Sequence, residues 1–185
     1  MPIQRIILIS IVILLHTTPL FAEQEFIGGI GKGMDNTLIQ SKSISSAGQY
    51  EVSWAYNLDK SFSNDYGYWQ WWLQAGYVHL KGQHNGEKNT LSIVELKPIL
   101  RLYPSGENGK LFFEGGLGAS KFSRKQFEQI TVQIKGNFAV HFAAGYRIND
   151  LLRVSLRYSH FSNGYTHTPN PGLDTMSLNL HLVWN

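Results

Sequence analysis

Eight stretches of this chain alternate apolar and polar residues with a period of two, at about 25–34, 48–58, 67–80, 90–103, 111–121, 136–148, 151–162 and 173–184. A period of two turns successive side chains to opposite faces of an extended strand, so each stretch predicts a β-strand with one apolar face. In the second, Val52, Trp54, Tyr56 and Leu58 alternate with Glu51, Ser53, Ala55 and Asn57. In the fourth, Val94, Leu96, Pro98, Leu100 and Leu102 alternate with Glu95, Lys97 and Arg101. In the sixth, Phe138, Val140, Phe142, Ala144, Tyr146 and Ile148 alternate with His141, Gly145 and Arg147. Breaks rich in Gly, Asn, Asp and Ser separate them. The chain is all-β.

Alternation alone fits a soluble sandwich, whose apolar faces turn inward. Two features favour a membrane barrel with its apolar face outward. The polar face mixes charges with glycine, as in Glu95, Lys97, Arg101, Glu114, Gly116 and Gly118, which suits a narrow and crowded lumen. The apolar face carries Trp54, Trp69, Trp71, Tyr146, Tyr158 and Trp184, residues expected in aromatic girdles at the membrane interfaces. The connections agree. Pro104–Gly109 is a compact turn and Asn149-Asp150 a two-residue turn, whereas the links at about 35–47, 81–89, 122–135 and 163–172 are longer. Short periplasmic turns and long external loops are the usual asymmetry of outer-membrane barrels. The link 59–66 is an exception, and 122–135 fits either strand extensions or a short helix. The expected fold is an eight-stranded antiparallel transmembrane β-barrel over 23–185. A barrel of this size is filled by its own side chains, so any activity belongs on a loop, in a recess or on the outer wall.

Residues 1–22 have the layout of a signal peptide: Arg5, an apolar run Ile6–Leu15, and a cleavage site after Ala22 in Pro19-Leu20-Phe21-Ala22. The run is about half the ~20 residues of a spanning helix. At 185 residues the chain has room for one domain. Loss of Arg5 takes the basic residues from 16 to 15 against 13 acidic ones, a net charge of about +2, too small and scattered for nucleic acid. Cysteine is absent, so neither disulfides nor thiolate metal sites are expected.

The last hairpin holds the chemistry. Along the seventh stretch Leu152, Val154, Leu156 and Tyr158 share the lipid-facing parity, and so do His160 and Ser162. Along the eighth, Asp174 shares the parity of Met176, Leu178, Leu180, Leu182 and Trp184. Polar groups facing hydrocarbon are costly unless they bond to one another. Imidazole, hydroxyl and carboxylate are also the set that activates a nucleophile: the imidazole takes the hydroxyl proton and the carboxylate holds the imidazole. Asn163 and Asn170, or a backbone N–H near Gly164, are candidates to stabilise an oxyanion. The bland alternative is a group of loop-end polar residues above the lipid boundary.

The stretch His160–Asp174, with Ser162, Asn163, Pro169, Asn170 and Gly172, closely resembles the C-terminal hairpin of the PagL family of lipid A 3-O-deacylases. The resemblance implies an outer-membrane esterase with no metal and no other cofactor, which hydrolyses the acyl ester at the 3-position of lipid A from a site facing the outer leaflet. It implies Ser162 as nucleophile, His160 as base, Asp174 as acid, and Asn163 and Asn170 in support. The family's acid is usually Glu. Asp174 is one methylene shorter, so its reach to His160 depends on the local backbone. Asn185, following Trp184, also departs from the terminal aromatic usual in such barrels. The implied partners are lipid A within lipopolysaccharide and the surrounding outer-membrane lipids; a homodimer is left open.

The other histidines are given structural roles: His141 and His181 inward, His79 and His84 at an external strand end and loop, His167 in the hairpin loop. No spacing among them compels a metal site. Lys81, Lys88, Arg124 and Lys125 belong to external loops, where they are either solvated or meet lipid phosphates. Two other functions stay open: an outer-membrane phospholipase, which also needs an outward Ser and His, and a non-catalytic small barrel serving adhesion or envelope integrity.

Overall fold

The computed structural model describes residues 22–35, 44 and 47–185. The expected signal segment, but for Ala22, lies outside them. The strands are β1 (Gln24–Gly33), β2 (Gly48–Asn64), β3 (Gly67–His84), β4 (Glu87–Tyr103), β5 (Leu111–Phe122), β6 (Gln126–Phe127), β7 (Ile130–Thr131), β8 (Gly136–Arg147), β9 (Leu152–Ser162) and β10 (Leu173–Trp184). Eight of them close a barrel in the order β1-β10-β9-β8-β5-β4-β3-β2, with every neighbour antiparallel. Closure leaves no unpaired edge, the condition for strands to cross a bilayer. Both ends of the barrel chain lie at one rim, where Gln24 pairs with Trp184. The loop after β9 stands at the other, here called the far rim.

The expected parity holds through the wall. Val52, Val94, Leu96, Leu117, Phe142, Leu156 and Leu178 are exposed on the outside, while Glu51, Glu95, Lys97, Arg101, Glu114 and His141 are buried inside. Four details differ from the sequence reading. Residues 59–64 continue β2 past a register shift between Asn57 and Ser61, where Asp59 has φ 54°, so only a tight turn at 65–66 remains of the link 59–66. The expected loop 81–89 is also largely strand: β3 and β4 pair out to His84 and Glu87 across Asn85 (φ 52°) and Gly86 (φ 83°). Two consecutive positive φ angles are the signature of the Asn-Gly hairpin turn. In both places apolar alternation stops where the strand leaves the hydrocarbon, although backbone pairing continues. Residues 122–135 form neither long strand extensions nor a helix; β6 and β7 make a small separate hairpin. Tyr158, placed in a girdle, keeps its outward parity but is only 7% exposed.

The lumen is layered. Toward the far rim Val78, Leu80, Leu91, Ile93, Phe122, Ala139, Phe161 and Leu173 form an apolar plug, capped by Ile44, Ala47, Phe127, Ile130 and Val132 from the loops. Below it runs an ionic layer. Arg101 donates to Glu114 at 2.6 Å and to both oxygens of Glu25 at 2.6 and 2.8 Å. Arg153 pairs with Glu25 and Glu23, Lys97 lies 2.6 Å from Glu95, and Arg157 reaches Glu51 and Gln74 at 3.3 Å. His181 joins this layer through Glu25 and Ser155, each at 2.8 Å. Trp72 lies beneath Arg101, whose guanidinium carbon is 4.4 Å from the ring centroid.

Candidate active site

β9 places His160 and Ser162 two residues apart on its outward face, and Ser162 ends the strand. Two strand steps span roughly 7 Å, within the combined reach of an imidazole and a serine side chain. The acid arrives across the sheet. Asp174 is the second residue of β10 and lies directly opposite His160 in the β9–β10 register. His160 Nδ1 and Asp174 Oδ1 are 2.5 Å apart, with both side chains buried. The shorter acid therefore reaches because the register sets it face to face with the imidazole; no extra methylene is required. A carboxylate on Nδ1 holds the ring in one orientation and leaves Nε2 as the nitrogen able to take a proton. The backbone anchors the pair: the Asp174 carbonyl accepts from Met34 N–H at 2.9 Å, tying the start of β10 to the end of β1.

The loop 163–172 is laced by the two asparagines. The Asn163 N–H donates to Asn170 Oδ1 at 3.0 Å, and Asn163 Nδ2 donates to the His167 carbonyl at 2.8 Å. The Asn163 carbonyl accepts from the N–H and hydroxyl of Thr166 at 3.2 and 2.8 Å. The Asn163 backbone donor is thus committed within the loop. Gly164 follows with φ 60°, and a Cβ there would lie 2.8 Å from the Phe138 ring. Both its dihedral and its close approach to an aromatic require glycine. Phe138 is the β8 partner of Ser162, so an exposed aromatic floor adjoins the serine. Parity marks Phe138 as outward, but only the pairing of two strands distant in sequence brings it to Ser162. That is why the sequence reading missed it.

The remaining histidines fall as follows. His141 is fully buried in the lumen, 3.8 Å from Glu114. His181 is bonded within the ionic layer, and His167 is exposed in the loop, 3.3 Å from Thr166 Oγ1. His79 takes part in an outward cluster described below. Among the described residues no group of three His, Asp or Glu is arranged to hold a metal ion. The far-rim hairpin therefore pairs an imidazole with a carboxylate and places a hydroxyl two residues along on the same outward face, residue types suited to acyl transfer.

The family described as Lipid A 3-O-deacylase (PagL) matches residues 48–183. The chain is 38% identical over 81 residues to the lipid A deacylase PagL of Bordetella bronchiseptica, a stretch covering 44% of each chain. It is 28% identical over 147 residues to the lipid A deacylase PagL of Pseudomonas aeruginosa, covering 75% of this chain and 82% of that one. The chain thus spans less than half of the first relative and most of the second. Among solved structures it is similar to the outer-membrane enzyme PagL, with a TM-score of 0.69 at 20% identity over 85% of this chain and 98% of that one. It is also similar to Ail, the attachment invasion locus protein of Yersinia pestis, with a TM-score of 0.52 at 14% identity over 88% and 98%. At such identities these two likenesses concern the fold, and the second shows that the barrel by itself carries no particular activity. With the family's pattern running from the start of β2 almost to the end of β10, this chain belongs to the PagL family of lipid A 3-O-deacylases, and its closed sheet is an outer-membrane barrel.

Proposed function

We propose that the protein is a lipid A 3-O-deacylase in which Ser162 is the nucleophile, His160 the general base and Asp174 the acid that orients it. The observation that carries this reading is the 2.5 Å contact between His160 and Asp174 on the outer wall, with Ser162 two residues along on the same face. His160 Nε2 takes the Ser162 proton as Oγ attacks the ester carbonyl at the 3-position. The tetrahedral oxyanion is met by donors of the loop, Gly164 N–H and the Asn170 amide, whose Oδ1 is already engaged as an acceptor. Collapse expels the sugar hydroxyl, which receives the proton from His160 and leaves an acyl ester on Ser162. Water, deprotonated by His160, then releases the fatty acid and restores the serine.

The substrate approaches sideways from the outer leaflet. Its acyl chains lie along the exposed apolar face of β8–β10, and its headgroup stands level with the far rim. This reading takes that rim as the cell-surface side and residues 1–22 as an export signal removed after Ala22. Lipid A and the surrounding lipids are the partners; the hydrolysis uses protein side chains and water.

The test is the mass profile of lipid A from cells expressing the chain. The parent removes one acyl chain, and Ser162→Ala, folded to the same heat-modifiable barrel, removes none. Deacylation that persists in Ser162→Ala rejects the assignment. An outer-membrane phospholipase would release fatty acid from phospholipid vesicles instead, and a purely adhesive barrel would show neither activity.

A further inference from the structure

A second polar cluster interrupts the lipid-facing wall on the opposite side of the barrel, and the mechanism above makes no use of it. Tyr77 and His79 of β3 and Ser92 of β4 share the outward face. The Tyr77 hydroxyl is 2.8 Å from Ser92 Oγ and 3.4 Å from His79 Nδ1, and His79 Nδ1 is 3.2 Å from Ser92 Oγ. The Tyr77 and His79 rings stack at 6.3 Å. His79 pairs across to Tyr50 of β2, and Lys81, two residues further along β3, sets its ammonium 4.9 Å from the Tyr50 ring centroid. Beyond Ser92, its N–H donates to Ser123 Oγ at 3.1 Å. Lys121 stands exposed on β5 and Lys135 bonds the Ser123 carbonyl at 2.9 Å.

The height of the cluster follows from the lumen. Val78, Leu80, Leu91 and Ile93, which flank His79 and Ser92 in sequence, belong to the same apolar plug as Phe161 and Leu173, which flank His160 and Asp174. Both clusters thus sit outside one layer of the barrel. Their chemistry differs, above all in the acid. Among the described residues at the outward positions of β2–β5 at this level there is no carboxylate. With no acid to orient His79, the cluster is not built to generate a nucleophile. Two hydroxyls, an imidazole and flanking ammonium groups together form a donor-rich, cationic patch on an otherwise apolar wall, which calls for an anionic acceptor at headgroup depth.

We propose that Tyr77, His79, Lys81 and Ser92 form a second, non-hydrolytic site that binds the phosphate of an outer-leaflet lipid headgroup. Lys81 supplies the charge, Ser92 and Tyr77 re-aim their hydroxyl protons onto the phosphate oxygens, and the rings of Tyr50 and Tyr77 flank the headgroup. The occupant is a lipid, because the patch opens sideways onto the bilayer.

The test uses the full mature chain carrying Ser162→Ala, isotope-labelled in dodecyl maltoside micelles, whose headgroups carry no phosphate, and titrated with phosphorylated lipid A. The amide resonances of Tyr77, His79, Lys81 and Ser92 shift in a saturable way, and rising salt weakens the binding. In the same background Lys81→Ala with Ser92→Ala weakens it about fivefold or more, while the shifts of β9 and β10 remain. Dephosphorylated lipid A, and inorganic phosphate alone at millimolar concentration, leave the four resonances in place. Equal shifts with either of those probes, or undiminished affinity in the double variant, overturn the proposal. Mass spectra of the lipid recovered after the titration report separately whether an acyl chain was lost, so a failure of binding here is distinct from a failure of the Ser162 assignment.

Discussion

At the level of single residues, the substitution of the family's usual Glu by Asp174 turns on strand register. His160 and Asp174 form a directly opposed pair, and their side chains meet at 2.5 Å. A buried polar pair of this kind contributes orientation more than stability, because desolvation offsets much of the attraction. Asp174→Asn, which keeps the shape but offers His160 a neutral partner, is expected to lower lipid A deacylation by roughly three to four orders of magnitude. Asp174→Glu, which must fold an extra methylene into a filled space, is expected to stay within about a hundredfold of the parent. Rates on purified lipid A measure both. Equal losses in the two variants would mean that the carboxylate does not act through the imidazole.

At the level of elements, the loop between β9 and β10 is a structured part of the candidate site. Asn170 satisfies the N–H of Asn163, a residue only 2% exposed. Asn170→Ala leaves that buried donor unpaired, at a local cost of about 1–3 kcal/mol, and removes a candidate oxyanion donor. Turnover is expected to fall about a hundredfold, while the unheated protein keeps the gel mobility of a folded barrel. Unchanged turnover would exclude the loop from the chemistry. The neighbouring turns show where patterning loses its force. Asp59–Asn64 and Lys81–His84 are strand without apolar alternation, because beyond the hydrocarbon a strand needs only its backbone partner. The Asn85-Gly86 dipeptide did carry a hairpin signal of its own, which the polar residues around it obscured.

At the level of the whole molecule, Glu25 joins β1 to β4, β9 and β10 through Arg101, Arg153 and His181. Removing one partner of such a network leaves the others buried without their counter-charge, which typically costs about 3–5 kcal/mol. Glu25→Ala is expected to lose that much in urea unfolding from detergent micelles. Glu107→Ala, at an exposed turn, is expected to change little. Comparable midpoints for the two would show that the ionic layer contributes nothing to barrel closure.

Periodicity is a local property, and so the membrane-spanning parts of the eight wall strands, their inner and outer faces, the outer-membrane setting and the outward parity of His160, Ser162 and Asp174 were legible along the chain. Register is not local. Which residue of β10 faces His160, how Asn163 and Asn170 lock the loop, why an apolar plug rather than charge fills the far half of the lumen, and how Tyr77, His79 and Ser92 converge across two strands depend on how each strand slides against its neighbour. That slide is decided by closure of the ring and by the packing of its interior, where every side chain must fit against partners distant in sequence.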